Sequence, residues 1–355
     1  MTEEERAEIW LDSFGVEYNK KMRFCELATT PHAMAEFLSR RSGEAAALVG
    51  KETAERMQKK LNGEYFRSLT EKYAKKGIEC VAYSSPLYPE DLRQIADPPL
   101  VLYCRGNTSL LAERKFAIVG SRHTPPQIAR LTERYASELS RHFVIVSGMA
   151  DGGDTAAVTG ALPSGRVISV LANGLDHVYP ECNRDLCERV GKEGLLVTEY
   201  LPEVKPRSYL FPARNRIIAG LAEGVLVVSG GEKSGTRITA DLAMSYGRDV
   251  FAFPYGVGAS AGAGCNALIK EYAKLTDNLV DIAEAFGINL TETEEIELTV
   301  PERAVYEALR EGETHLLQLS ERTKLLPHEL SSVLMLLEMK GLVVSCGGNR
   351  YAALK

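Results

Sequence analysis

The chain has 355 residues, which at about 150 residues per domain implies two or three domains. Apolar residues make up 45% and charged residues 25%, ordinary globular proportions that exclude a disordered, collagen-like or coiled-coil chain. With 42 Lys and Arg against 48 Asp and Glu the formal charge is −6, so any attraction to a polyanion has to come from a local patch.

The seven Cys, at 25, 80, 104, 182, 187, 265 and 346, show no paired C-x-x-C spacing and fit neither a disulfide framework nor a zinc cluster. Reduced thiols are expected. The N-terminal stretch MTEEERAEIWLDSF is acidic and lacks the layout of a signal peptide, and no apolar run approaches the 18 or so residues that span a bilayer. A cytoplasmic protein with no membrane partner is expected.

From Met22 to Lys76 the pattern is helical, with apolar residues at Phe24, Leu27, Met34, Phe37 and Leu38. A Pro-bearing stretch (83–90) and the dipeptide Pro98-Pro99 then punctuate the chain, so a helical module is expected over 1–85. Beyond Lys115, short apolar runs at 116–120, 143–148, 167–172, 195–199, 225–229 and 250–254 alternate with amphipathic segments such as Ile128–Arg141. Runs apolar at nearly every position suit strands covered on both faces. The alternation predicts an α/β core over 86–290, a mostly parallel Rossmann-like sheet between helices. An acidic segment, 291–298, reads as a solvated linker. After it, over 298–355, helices at 301–310, 314–322 and 327–340 and two strands flanking Gly347-Gly348 predict a winged helix.

Open parallel sheets bind ligands at the carboxyl ends of their strands, so the residues after each run are the candidates. Gly120-Ser121-Arg122 follows the first run: its amides and guanidinium suit one phosphate, or the glycine merely makes the strand-to-helix turn. After the second run, Asp154 is placed to cap the next helix. The third run aims Asn173, Asp176 and His177 at the same edge, without a nucleophile at a recognisable spacing.

The segment 205–216 holds four basic residues, no acid, and Tyr209 and Phe211. Guanidinium groups meet phosphates while rings give a sequence-tolerant stacking surface for bases, so Phe211, Arg214, Asn215 and Arg216 read as a single-strand nucleic-acid surface. The alternative is a solvated loop with its rings in the core. A second cradle, Lys233, Ser234, Gly235, Thr236 and Arg237, stands between a strand and a helix. Its order is not that of a Walker loop, and no G-x-G-x-x-G follows the first strand, so neither ATP nor a dinucleotide, and no other cofactor, is expected. Convergence of Arg122, Arg214, Arg216, Lys233 and Arg237 would make a focused positive patch on an acidic chain.

Six segments in this order, 120–122, 147–150, 171–180, 211–221, 234–240 and 247–254, resemble the DNA processing protein A family, also called DprA or Smf. The flanking modules resemble its sterile-alpha-motif-like and winged-helix domains. The resemblance implies sequence-independent binding of single-stranded DNA, a homodimer through the core, and loading of the RecA recombinase during natural transformation, with no catalysis. It carries DNA contacts onto Arg122, Arg214 and Arg216, and less firmly onto Lys233. The chain departs from the family pattern at Gly153, Val158, Tyr255 and Arg237.

Two other classes compete. Nucleotide phosphoribohydrolases resemble this core and its Gly-Thr loop, but where their catalytic Glu is expected this chain has Thr239. A duplex-reading winged helix would need cations on its third helix, which carries two Glu and one Lys.

Overall fold

The computed structural model describes residues 1–289 and 298–353, so the expected linker falls almost wholly outside the described residues. The chain divides into two compact units, Met1–Thr276 and Asp277–Lys355.

The first unit opens with six helices, α1 (Glu3–Asp12), α2 (Tyr18–Leu27), α3 (Pro31–Arg40), α4 (Ser42–Val49), α5 (Lys51–Lys60) and α6 (Gly63–Lys75). Side-chain caps start several of them: Thr2 and Glu5 close a capping box on α1, Thr30 caps α3 and Asn62 caps α6. Of the apolar positions read from sequence, Phe24, Met34, Phe37 and Leu38 are buried, with Phe24 and Phe37 edge to face at 5.2 Å. Two buried acids of α1 tie this layer to the sheet. Asp12 accepts from the Tyr103 hydroxyl at 2.7 Å, and Glu8 accepts from the Ser84 amide and hydroxyl at 2.9 and 3.0 Å.

Burial lifts the Glu8 carboxyl to about 7, against the opposing pull of the Ser84 donors. A carboxyl raised in the folded state favours folding while it is protonated, so its contribution is complete below the unfolded value and is lost as pH rises through about 7. Glu8→Gln is therefore expected to flatten the fall in thermal midpoint between pH 6 and pH 8. Parallel slopes for variant and wild type would refute the assignment.

The sheet has nine strands: β1 (Glu79–Ala82), β2 (Val101–Gly106), β3 (Lys115–Val119), β4 (Val144–Ser147), β5 (Val167–Val170), β6 (Leu195–Thr198), β7 (Gly224–Val227), β8 (Asp249–Ala252) and β9 (Lys274–Leu275). Their order is β1-β2-β6-β5-β4-β3-β7-β8-β9, parallel from β6 to β9 and antiparallel at β1 and β2. All six predicted runs are strands, and β3 to β7 are buried at every position, as helical cover on both faces requires. The antiparallel pair and the exposed two-residue β9 escaped prediction: β1 is buried only at its last two residues and so shows no apolar run, and β2 starts directly behind Pro98-Pro99, which reads as loop. β1 also places the sheet's edge ahead of residue 86, where the core was expected to begin.

The connecting helices are α7 (Glu90–Arg93), α8 (Pro126–Leu139), α9 (Gly153–Ala161), α10 (Arg184–Glu193), α11 (Leu210–Leu221), α12 (Gly235–Ser245) and α13 (Ala263–Glu271).

The second unit begins with α14 (Val280–Phe286) and continues through α15 (Val300–Arg310), β10 (Thr314–His315), α16 (Leu316–Thr323), α17 (Pro327–Met339), β11 (Val343–Gly347) and β12 (Arg350–Ala353). A three-stranded sheet, β10-β12-β11, closes over Val305, Leu309, Leu319, Leu330, Leu334 and Leu337. This is the predicted winged helix, with one added short strand at Thr314. Among the described residues no helix is long and apolar enough to cross a membrane.

Candidate nucleic-acid interface

β3 is the pivot of the sheet: β4, β5 and β6 lie to one side and β7, β8 and β9 to the other. The crevice outside the carboxyl ends of β3 and β7 is thus the switch point, where open sheets of this type take ligands. Its two loops are laced together. The Ser121 amide donates to the Ser229 carbonyl at 3.2 Å and hydroxyl at 3.0 Å, and the Thr124 and Ser229 hydroxyls are 2.6 Å apart. The Gly120 amide donates to Asp154 at 3.3 Å. Two amides of this turn, those of Gly120 and Ser121, are therefore already engaged inside the protein.

Glycine is required here by close approach. A Cβ on Gly120 would stand 2.7 Å from the Gly153 Cα, so the departure at Gly153 lets α9 pass directly against the end of β3. Val158, the next departure, is fully buried in α9. Tyr255 braces the crevice from the β8 side, its hydroxyl donating to the Val228 carbonyl at 2.6 Å.

Asp154 does not cap α9, as expected, because Gly152 holds that position and the carboxylate turns back to the Gly120 amide. The strongest opposing charge acting on it is that of Arg214, 5% exposed on α11, which itself donates to the Val170 carbonyl and, at 3.2 Å, to Asn215. A Cβ on Gly148 would strike both Asp154 and the guanidinium. Burial pushes the Asp154 carboxyl up and pulls the Arg214 guanidinium down, and each charge opposes the shift of the other.

Arg216 is likewise turned inward. It holds Glu199 at 2.7 and 2.6 Å and Asp97 at 2.8 Å, and although burial pulls against its charge, these carboxylates keep it above the usual arginine range. Arg237 pairs with Glu271 and Asp241 on the outer face of α12. Two of the five cations expected to converge as free charges, Arg216 and Arg237, are thus paired with acids, and a third, Arg214, is buried with its donors on the Val170 carbonyl and Asn215. Asn173 also faces inward, donating to the Gly174 and His177 carbonyls at 3.0 and 2.8 Å. Asp176 and His177 form no dyad: Asp176 pairs with Lys76, and His177 lies 3.1 Å from the Glu203 carbonyl.

What faces solvent at the crevice is narrower. Arg122 is exposed, its guanidinium 5.5 Å from the centroid of the half-buried Phe211 ring, within cation–π range. Tyr179 packs against Phe211 with the ring centroids 5.3 Å apart and the planes tilted by 56°, a neighbour that sequence reasoning missed. Its only signal was position, at the end of the loop that leaves β5. Opposite, Lys233 and Gly235 are exposed at the start of α12, where the Ser234 and Thr236 hydroxyls are 2.5 Å apart. Asn215 ties the two sides, donating to the Gly235 carbonyl at 3.2 Å. Thr239, at the position a phosphoribohydrolase would give to its Glu, is buried with its hydroxyl toward the Gly235 carbonyl.

A switch-point crevice with laced serine loops, flanked by an arginine on an aromatic pair and followed in the chain by a winged helix, defines an extended Rossmann-like protein. The chain belongs to the DNA recombination-mediator protein A family, whose pattern matches residues 79–287, and the DprA winged helix domain matches residues 291–349. It is 44% identical over 200 residues to DNA processing protein DprA of Streptococcus pneumoniae, covering 56% of this chain and 71% of that one. Against DNA processing protein DprA of Bacillus subtilis it is 41% identical over 215 residues, covering 60% and 72%. Among solved structures, the Streptococcus pneumoniae protein superposes with a TM-score of 0.62 at 33% identity, covering 76% of this chain and 98% of that one. DNA processing protein A from Helicobacter pylori, solved for its single-stranded DNA binding mode, gives 0.54 at 32%, covering 59% and 95%.

Proposed function

We propose that the switch-point crevice binds single-stranded DNA without base preference and that the chain, as a homodimer through its core, loads RecA recombinase onto that strand during natural transformation. The observation that carries this reading is the Arg122–Phe211–Tyr179 cluster, which offers a charge for phosphate and aromatic rings for bases at one point on the surface. Lys233 supplies a second phosphate contact across the crevice, and Ser234, Gly235 and Thr236 shape that side. Arg214, Arg216 and Asn173 hold the frame, and Arg237 belongs to the outer face.

On that outer face, Ile238, Met244 and the edge residue Leu275 are 41%, 53% and 49% exposed, apolar surface of the kind a core dimer covers. The third helix of the winged unit presents Met335, Leu336 and Met339 to solvent and no arginine, which favours a protein partner over duplex DNA.

Arg122→Ala tests the reading. Fluorescence anisotropy with oligo-dT over a salt series should show affinity down about tenfold and the log–log salt slope reduced by about 0.7, one phosphate contact on a single strand. Wild-type affinity and slope in the variant, or equal wild-type affinity for duplex, would overturn it.

A further inference from the structure

The crevice leaves a second group of cations unused. α6 ends in the exposed Lys72, Lys75 and Lys76, and two of these reach the loops that carry the aromatic pair: Lys76 pairs with Asp176, and Lys72 lies 3.6 Å from Glu203. Those loops are knitted to each other, the Gly174 amide donating to the Val204 carbonyl at 2.8 Å and the Asp176 amide to the Pro202 carbonyl at 2.9 Å. One continues to Tyr179. The other carries the exposed Lys205, Arg207 and Tyr209 on its way to Phe211. Tyr209 is 63% exposed with its hydroxyl 3.3 Å from Arg207, a ring left in water beside a guanidinium.

From this continuity, and resting on the proposed function, we infer that the strand does not stop at the crevice. It runs from the Phe211–Tyr179 pair across Tyr209 and Arg207 to the last turn of α6, so the N-terminal helices supply an outlying single-strand binding arm. Lys72, Lys75, Lys76, Lys205 and Arg207 outnumber the acids Glu71, Asp176 and Glu203 along this path. Ion pairs as exposed as those of Lys72 and Lys76 contribute little, so both lysines can exchange a carboxylate for a phosphate. Tyr209 offers a sequence-tolerant ring between the two patches.

The test compares oligo-dT of about 6 and about 25 nucleotides, the first near the lower end of single-strand site sizes and the second beyond the upper, on the full chain by anisotropy. Lys72→Glu with Lys75→Glu should lower affinity for the long strand about tenfold, reduce its salt slope by about 1.4, and leave the short strand within about twofold. Glu203→Gln, which frees Lys72 of its acid, should raise long-strand affinity about threefold, a gain that misfolding does not mimic. Equal loss on both lengths, or no loss on either, overturns the arm while leaving the crevice intact. Failure of the wild-type chain to bind either length overturns both.

Discussion

Replacing Arg214 by alanine is expected to lower the unfolding free energy of the first unit by about 3–5 kcal/mol, the cost of removing the buried guanidinium whose charge offsets that of buried Asp154 and which donates to the Val170 carbonyl. Asp154 would remain buried with only amides for company, at the contact between α9 and β3 that leaves no room for a Cβ on Gly120. The deficit should be smallest at acid pH, where the stranded carboxyl is protonated in both states, and grow as pH rises, because burial already pushes this group upward with Arg214 in place. Asp154→Asn in the same chain should recover about 1–3 kcal/mol by removing the uncompensated charge. Urea titration with a fluorescence readout measures both. The effect on DNA is expected to differ in kind from that of Arg122→Ala: a disordered Gly-Ser-Arg loop weakens binding, but the salt slope stays at the wild-type value because no phosphate contact is removed. A slope reduced by about 0.7 would place Arg214 in the groove itself.

The contrast between these two arginines marks what was legible in the sequence. The central strands β3 to β7, and β8 beside them, were legible because they are buried on both faces and so read as nearly unbroken apolar runs, and the winged helix because its apolar spacing is regular. The ends of the strands, and with them the crevice, followed from topology. The fate of the individual cations did not, because it depends on acids that the fold delivers from elsewhere: Glu199 is 17 residues from Arg216 and Asp97 is 119 residues away. Local composition around 205–216 holds no acid at all, so it presents four apparently free bases where the structure has two exposed ones, Lys205 and Arg207, and two locked in the interior. Tyr179 illustrates the converse. Nothing in its neighbours marks it as a stacking ring until α11 brings Phe211 beside it.

Arg216→Ala carries the second large effect. The side chain is 9% exposed and serves two carboxylates, one of which, Glu199, is itself largely buried. Its loss leaves Glu199 without a counter-charge at the carboxyl end of β6, and a fall of about 3 kcal/mol in unfolding free energy is expected. Arg216→Lys should recover only part of it, because a single ammonium cannot hold Glu199 through two parallel bonds and Asp97 through a third. Below the unfolding transition, oligo-dT affinity and salt slope should both stay within about twofold of wild type, since no phosphate is lost from the groove. Wild-type stability combined with lost affinity would reverse the assignment and put Arg216 on the strand, with Glu199 and Asp97 as acids that DNA displaces.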